Sequence, residues 1–127
     1  MPVPAAVEAL IADAPLSAHV ATCVDGRPHV APVWYVYDDG VLRFLTSGRK
    51  LQNVEANPRV AISIEHADGP AVYWTATLLG TAGVIEDRAT VDAVRRAIDE
   101  KYDNDETYAF QPMVEVTIGS ATCEDYR

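Results

Sequence analysis

The sequence predicts a single mostly β domain, an antiparallel β-barrel with short helices. The chain has 127 residues, which leaves room for one domain, residues 1–127, and little else. Most segments alternate apolar and polar residues with the period of two typical of strands, and turn sequences such as Asp25-Gly26 and Asp39-Gly40 join them. Helical segments do not alternate regularly with these strands, so an antiparallel barrel fits better than a β-α-β fold.

The first part of the chain predicts a helix followed by strands. Apolar residues at Val7, Leu10 and Ile11 have helical spacing, and Pro15 ends the helix. Three strands joined by tight turns are then expected to follow one another as a meander. They span residues 16–24, 29–37 and 41–46.

The rest of the chain predicts two helices and at least three further strands. The first helix has Ser47 as its N-cap and ends at Asn57-Pro58. Strands are expected over 59–65, 71–85 and 113–118, a helix over 88–102, and a polar tail over 119–127. Gly80 and Gly83 lie inside the longest strand, where glycine marks a bulge, a bend or a close backbone approach. The prediction is therefore six or seven strands, one terminal helix and two inserted helices.

Charge and hydropathy exclude several classes of function. Lys and Arg number 10 against 19 Asp and Glu, and the net charge of -9 repels phosphate backbones and anionic lipid surfaces. No apolar run approaches the roughly 20 residues of a membrane span. The N-terminus has no basic region followed by an apolar core, as a secretory signal would. We therefore expect a cytoplasmic protein that binds neither nucleic acid nor membrane.

Common catalytic and metal-binding motifs are missing from the sequence. It has no Walker loop, no Gly-x-Gly-x-x-Gly and no Ser-His-Asp order. His19 and Cys23 are four residues apart on a predicted strand and share a face, but two ligands are too few for a metal site. We therefore expect no metal, and no residue is singled out as a catalytic acid or base.

The most informative segment is Thr46-Ser47-Gly48-Arg49-Lys50, where a strand meets a short helix. A helix N-terminus presents unpaired N–H groups and a partial positive charge, which disfavours cations in its first turn. Arg49 and Lys50 nevertheless stand there. A bound phosphate resolves the conflict, because the two hydroxyls, the amides from Gly48 onward and the two cations would all bind it.

The surrounding charge distribution agrees with an anion site. Residues 27–59 carry five basic and three acidic side chains, a local charge of +2 in a chain of net charge -9. The alternative is that Arg49 and Lys50 are solvated on an exposed helical turn and pair with carboxylates such as Glu55. The residues alone leave both interpretations open.

An ordered set of motifs resembles the pyridoxamine 5'-phosphate oxidase-like flavin-binding split-barrel family. The motifs are Gly26-Arg27-Pro28-His29-Val30-Ala31-Pro32-Val33-Trp34, Asp39-Gly40, Phe44-Leu45-Thr46-Ser47-Gly48-Arg49-Lys50 and Asn57-Pro58-Arg59-Val60. The similarity runs from about residue 16 to residue 85. It implies an antiparallel split β-barrel of the FMN-binding type that forms a homodimer, with one flavin at each of two clefts between protomers.

The resemblance also implies roles for individual residues. The implied cofactor-binding residues are Val30, Ala31, Pro32, Val33, Trp34, Thr46, Ser47, Arg49, Lys50, Trp74 and Thr75. Arg49 and Lys50 match the pair that grips the cofactor phosphate. The strand over residues 29–34 matches the segment whose backbone lies along the flavin ring, which makes residues 30–33 the ring neighbours. Trp74 and Thr75 sit where the second protomer approaches the cofactor in relatives.

The sequence departs from true pyridoxamine-phosphate oxidases at its C-terminus. Residues 119–127 lack the extended segment that holds the vitamin substrate, so vitamin B6 oxidation is not expected. The resemblance instead implies an FMN-dependent oxidoreductase that transfers hydride through flavin N5 to an unknown small-molecule substrate. A reductase using the deazaflavin coenzyme, a non-catalytic flavin carrier or sensor, and an interaction module without cofactor stay open as alternatives. The phosphate site does not separate the two cofactors, since both carry a phosphate on a ribityl chain.

Overall fold

The computed structural model describes residues 2–127 as three helices and seven strands. The helices are α1 (Ala5–Ile11), α2 (Arg49–Ala56) and α3 (Arg88–Lys101). The strands are β1 (Ala18–Val24), β2 (Arg27–Val33), β3 (Val36–Asp38), β4 (Val41–Leu45), β5 (Arg59–Asp68), β6 (Ala71–Ile85) and β7 (Met113–Asp125). The predicted mostly β class, with one terminal and two inserted helices, is confirmed. No helix within residues 2–127 is long and apolar enough to cross a membrane.

All the strands belong to one antiparallel sheet that curls on itself. Their order is β2-β1-β5-β6-β7-β4-β3, so β2 and β3 are its two edges. Yet only Trp34 and Tyr35 separate these edge strands along the chain. The edges of a flat sheet of this size would lie roughly 29 Å apart at about 4.8 Å per strand, whereas the three residue steps between β2 and β3 span about 10 Å at most. The sheet must therefore bend until its edges approach each other, as in a barrel.

Alternate residues of the strands fill the inside of this curled sheet. The buried side chains of β5 are Val60, Ile62 and Ile64, which confirms the predicted alternation. Tyr35 is fully buried in the same core, and its hydroxyl donates to the carbonyl oxygen of Ile11 at 2.7 Å. This hydrogen bond ties α1 to the segment that joins the two edges.

The predicted single strand over residues 29–37 is wrong, and with it the three-stranded meander. The strand is divided, because β2 ends at Val33 and pairs with β1 whereas β3 begins at Val36 and pairs with β4. The intervening Trp34 and Tyr35 have high strand propensity, so nothing in the local pattern marks the break. The closure of the barrel imposes it.

The segment after residue 118 is also corrected, from polar tail to strand. β7 continues to Asp125, and its second half pairs with β6. The register of that pairing shifts between Leu79 and Gly80, which confirms the predicted irregularity. A Cβ atom on Gly80 would lie 2.6 Å from the carbonyl oxygen of Thr117, so this position requires glycine. A Cβ atom on Gly83 would meet nothing within 4 Å among residues 2–127.

Candidate functional site

The start of α2 has no side-chain cap. The predicted N-cap Ser47 is wrong: the N-cap is Gly48, whose φ of 70° is readily adopted only by glycine, and no side chain among residues 2–127 bonds to the first N–H groups of the helix. Ser47 is exposed, and its hydroxyl oxygen instead accepts a hydrogen bond from Gln111 Nε2 at 3.2 Å. The first turn of α2 therefore keeps unsatisfied donors and contains no acidic residue.

Arg49 and Lys50 are the first two residues of this uncapped helix. The ion pairs within residues 2–127 are Arg43–Glu115 and Arg127–Asp125, so neither cation is paired with a carboxylate there. Successive helical residues point about 100° apart, and these two side chains line different cavities.

Arg49 faces a cavity of about 510 Å³, here called the basic cavity. Its lining residues are Val24, Asp25, Arg27, Pro28, His29, Arg49 and Asn53. The Nδ1 atom of His29 is buried and has no hydrogen-bond partner within residues 2–127. A buried ring nitrogen without a partner costs free energy, so His29 contributes an unsatisfied polar atom beside this cavity.

Lys50 faces a second cavity of about 270 Å³, here called the Trp34 cavity. Its lining residues are Pro32, Val33, Trp34, Leu45, Thr46, Lys50, Ile98, Tyr108 and Gln111. Apolar walls with a few convergent polar groups are typical of sites for planar organic ligands. Thr46, one of these lining residues, is buried and directly follows the last residue of β4.

Strand β2 connects the two cavities. His29 lines the basic cavity and Val33 lines the Trp34 cavity, four residues further along the strand. At about 3.3 Å per residue the two positions are roughly 13 Å apart. Val30 and Ala31 lie between them, and Val30 is 63% exposed. An extended ligand lying along β2 could therefore reach both cavities.

Polar contacts hold helix α2 against strand β1, the neighbour of β2 in the sheet. Asn53 Nδ2 donates to Thr22 Oγ1 at 3.0 Å, and Asn57 Nδ2 donates to the carbonyl oxygen of Cys23 at 2.8 Å. Val54 is buried beneath the helix. These contacts anchor α2 to β1, so the directions in which Arg49 and Lys50 leave the helix are fixed by the fold.

The structure thus brings most of the predicted cofactor-binding residues together around α2 and β2. Trp74 and Thr75 lie elsewhere, on β6: Trp74 is buried and lines a separate cavity with Leu10 and His66, whereas Thr75 is half-buried. Their predicted role belongs to a second protomer and stays a prediction.

Sequence reasoning did not single out several lining residues. Asn53 stands four residues after Arg49, a helical spacing that could have indicated a shared face. Tyr108 and Gln111 come from the segment between α3 and β7, far from Lys50 in sequence. No local pattern predicts such a contact, because the folded sheet creates it.

Comparison with protein families identifies a family model that covers most of this chain. The family model described as pyridoxamine 5'-phosphate oxidase matches residues 4–123. Among curated proteins, none matches this chain significantly.

Several solved structures have a similar fold. An FAD-binding protein from Mesorhizobium loti has a TM-score of 0.77 at 20% identity, covering 94% of this chain and 93% of that one. A conserved hypothetical protein from Mycobacterium tuberculosis also has a TM-score of 0.77, at 22% identity, covering 91% and 80% respectively. A structure described as an F420 reductase has a TM-score of 0.76 at 28% identity, covering 94% of this chain and 98% of that one.

Proposed function

The chain belongs to the pyridoxamine 5'-phosphate oxidase-like family of FMN-binding split-barrel proteins, though it is not the vitamin B6 enzyme itself, and from this membership we propose that it is an FMN-dependent oxidoreductase. The substrate is a small molecule that accepts or donates hydride. The observation that carries the proposal is the uncapped start of α2, which carries two unpaired cations and lies between two cavities joined by β2.

An anionic group fits this helix start in three ways. It would accept hydrogen bonds from the free N–H groups of the first turn, complement the helix dipole and neutralise the cations. Arg49 and Lys50 would bind the cofactor phosphate from the two sides of the helix, with Thr46 and Ser47 beside them. Arg27 extends the same positive surface along the basic cavity.

The flavin ring fits the Trp34 cavity. Pro32, Val33 and Trp34 supply apolar surface against a planar ring, and Gln111 supplies an amide for its polar edge. The Trp34 cavity adjoins the start of α2, because Lys50 lines it, so a cofactor whose ring and phosphate are joined by a flexible polyol chain could occupy both. Bound flavin supplies hydride transfer through N5, while this chain binds the cofactor and orients its ring.

A deazaflavin coenzyme is the second candidate cofactor. The F420 reductase structure, at 28% identity over nearly the whole of both chains, favours it. Its ring and ribityl phosphate require the same ring cavity and the same helix start, so the choice between the cofactors is left to titration.

We further propose that the protein is a homodimer built on an uncharged face of the sheet. The two outward rows of the ladder that continue across all of β2, β1, β5, β6 and β7 consist of Val30, Pro32, His19, Ala21, Ala61, Ser63, Thr77, Leu79, Ser120 and Thr122. None is Lys, Arg, Asp or Glu, although 23% of the chain is charged. Val30 and Leu79 are 63% and 52% exposed. A second copy would cover these apolar side chains, and the ligand-facing edge at Val30 with them.

Titration with cofactor tests the function. FMN added to the wild type should bind with a dissociation constant in the micromolar range or below, and Arg49→Glu should weaken it at least tenfold. Arg96→Glu, on the exposed surface of α3, makes the same charge reversal away from both cavities and should leave the affinity unchanged. F420 is titrated in parallel, and tighter binding of F420 would replace FMN by the deazaflavin coenzyme. Absence of binding for both would contradict the proposal.

Turnover distinguishes an enzyme from a carrier. Loaded protein given reduced pyridine nucleotide and an artificial acceptor should show steady turnover. Stable cofactor without turnover would support the non-catalytic carrier instead.

The dimer is tested by light scattering on a matched pair of variants. Ala61→Arg places a charge on the uncharged face and should give a monomer with weakened FMN binding, whereas Ala93→Arg, on exposed α3, should stay dimeric. A monomeric wild type would contradict this part of the proposal.

A further inference from the structure

The segment that closes the barrel has backbone groups outside the sheet ladder. This crossing, Trp34 and Tyr35, joins the edge strands β2 and β3. Buried backbone N–H and C=O groups require hydrogen-bond partners. Tyr35 lies between two strands, so the sheet ladder does not provide partners for its backbone groups. The backbone N–H of Tyr35 donates to the hydroxyl oxygen of Tyr102 at 3.2 Å, and its carbonyl oxygen accepts a hydrogen bond from Lys101 Nζ at 2.9 Å.

The same tyrosine holds the neighbouring indole. The rings of Trp34 and Tyr102 stack with centroids 4.8 Å apart and an interplanar angle of 9°. The Tyr102 hydroxyl also donates to the carbonyl oxygen of Leu16 at 2.7 Å. Burial raises the pKa of Tyr102, so the hydroxyl stays protonated and able to donate at neutral pH. One side chain therefore fixes the indole, the crossing and the chain just before β1.

Lys101 adds a second contact from the same helix end. Its Nζ lies 3.5 Å from the centroid of the buried Tyr35 ring, in addition to its hydrogen bond to the Tyr35 carbonyl. A cation over an aromatic face is stabilised by the ring's electron density. Arginine could preserve both contacts, and methionine neither.

We propose that Tyr102 and Lys101 are positioning residues for the ligand site: they fix the crossing so that Trp34 forms the wall of the Trp34 cavity. Trp34 is 44% exposed and would otherwise be free to change rotamer. Neither residue lines that cavity, so they act through Trp34. The inference rests on the proposed flavin site, since it assigns these contacts a role in ligand binding.

Four variants test the inference, with FMN as the probe. Tyr102→Leu removes the stack and the hydroxyl and should weaken FMN binding about tenfold, whereas Tyr102→Phe keeps the stack and should weaken it about threefold. Lys101→Met should weaken FMN binding a fewfold, and Lys101→Arg should restore it. Tyr73→Leu, a half-buried tyrosine that lines neither cavity, is the matched control and should lower the thermal midpoint without changing FMN affinity.

Near-ultraviolet circular dichroism without ligand provides an independent readout. The Trp34–Tyr102 stack should give an aromatic signal that disappears in Tyr102→Leu and persists in Tyr102→Phe and Tyr73→Leu. Unchanged FMN affinity in folded Tyr102→Leu would overturn the inference and leave the proposed function standing. If the wild type bound no FMN, the proposed function would fail, and an unaltered aromatic signal in Tyr102→Leu would then overturn the positioning role as well.

Discussion

Helices α2 and α3 begin in opposite ways. At α3 the Asp87 side chain accepts hydrogen bonds from the backbone N–H of Thr90 at 3.0 Å and from its hydroxyl at 2.6 Å, and these bonds hold the pKa of the carboxyl below its usual value. At α2 no side chain in the described part of the chain, residues 2–127, caps the helix, and Arg49 and Lys50 occupy the first turn. The start of α3 is capped by its own side chain. The start of α2 has N–H donors without side-chain partners, together with two cations that the helix dipole disfavours.

This contrast distinguishes the start of α3, which stabilises the fold, from the start of α2, for which we propose a ligand. In a helix that served only packing, a side-chain cap such as Asp87 would stabilise the start. Such a cap on average stabilises a helix more than solvation of its first N–H groups by water. At α2 the N-cap residue is instead a glycine, which has no side chain to cap the helix. Two cations follow it, and the helix dipole disfavours cations at this end. We attribute this departure from the local rules of stability to the anionic ligand that we propose for this segment.

The largest expected effect comes from reversing a charge at α2. Lys50→Glu should weaken FMN binding about a hundredfold or more, equivalent to roughly 2.7 kcal/mol, because a carboxylate then opposes the phosphate. The chain should remain folded, since an acidic residue suits a helix N-terminus. Fluorescence titration and urea unfolding measure the two quantities. Gln52→Glu, on the exposed side of the same helix, is the control and should leave FMN binding unchanged.

The complementary change at α3 should affect folding alone. Asp87→Ala removes the cap and should lower the thermal midpoint by roughly 3 °C. FMN affinity should not change, because Asp87 lines neither cavity. A calorimetric scan together with the same titration checks this, and a loss of affinity as large as that of Lys50→Glu would erase the contrast between the two helix starts.

The far end of α3 makes stability depend on pH. Burial lowers the pKa of Lys101 from 10.5 to about 8, although Asp13 opposes the shift. The unfolded chain therefore binds more protons than the folded protein between pH 8 and 10.5, so the contribution of Lys101 to the free energy of unfolding rises with pH across that window. Because the side chain is half-exposed, we expect a change of roughly 0.5–1 kcal/mol.

Comparison with Lys101→Met isolates this contribution. Asp13, Tyr37 and Glu100 share a cavity with Lys101 and are present in both proteins. Urea unfolding of the wild type and Lys101→Met at pH 7.5 and 10 gives the difference. A difference in unfolding free energy that is the same at both pH values would contradict the shifted pKa.

The smallest effect is on α2 without ligand. Arg49→Ala removes a cation from the positive end of the helix and should raise the free energy of unfolding by about 0.3 kcal/mol. The same variant should bind FMN more weakly. Stability gained where affinity is lost would be the signature of a residue kept for a ligand, and a loss of both would assign Arg49 to the fold.

The sequence predicts most of the elements but not how they meet. Spacing and turns are local, so α2, α3 and the alternation in β5 are recognisable from the chain alone. The break at Trp34 and Tyr35 is not, because contacts with Lys101 and Tyr102, more than 60 residues away, help to hold it. The sequence does not predict the second half of β7, because its outward residues are polar and no local apolar pattern indicates a buried strand there.

The candidate site was predicted to a similar extent. The cations at α2 stand out because they contradict a local rule, and β2 resembles a family motif. The division of Arg49 and Lys50 between two cavities depends on how α2 is docked on β1 through Asn53 and Thr22, which no sequence pattern encodes.

The ratio of the dissociation constants for riboflavin and FMN tests the central claim most directly. The two ligands differ only in the phosphate, so the ratio isolates what the start of α2 contributes. In the wild type FMN should bind at least thirtyfold more tightly than riboflavin, equivalent to about 2 kcal/mol. In a protein carrying both Arg49→Glu and Lys50→Glu the ratio should fall to one or below. Equal ratios in the wild type and the double variant would contradict the assignment of this helix start to a phosphate.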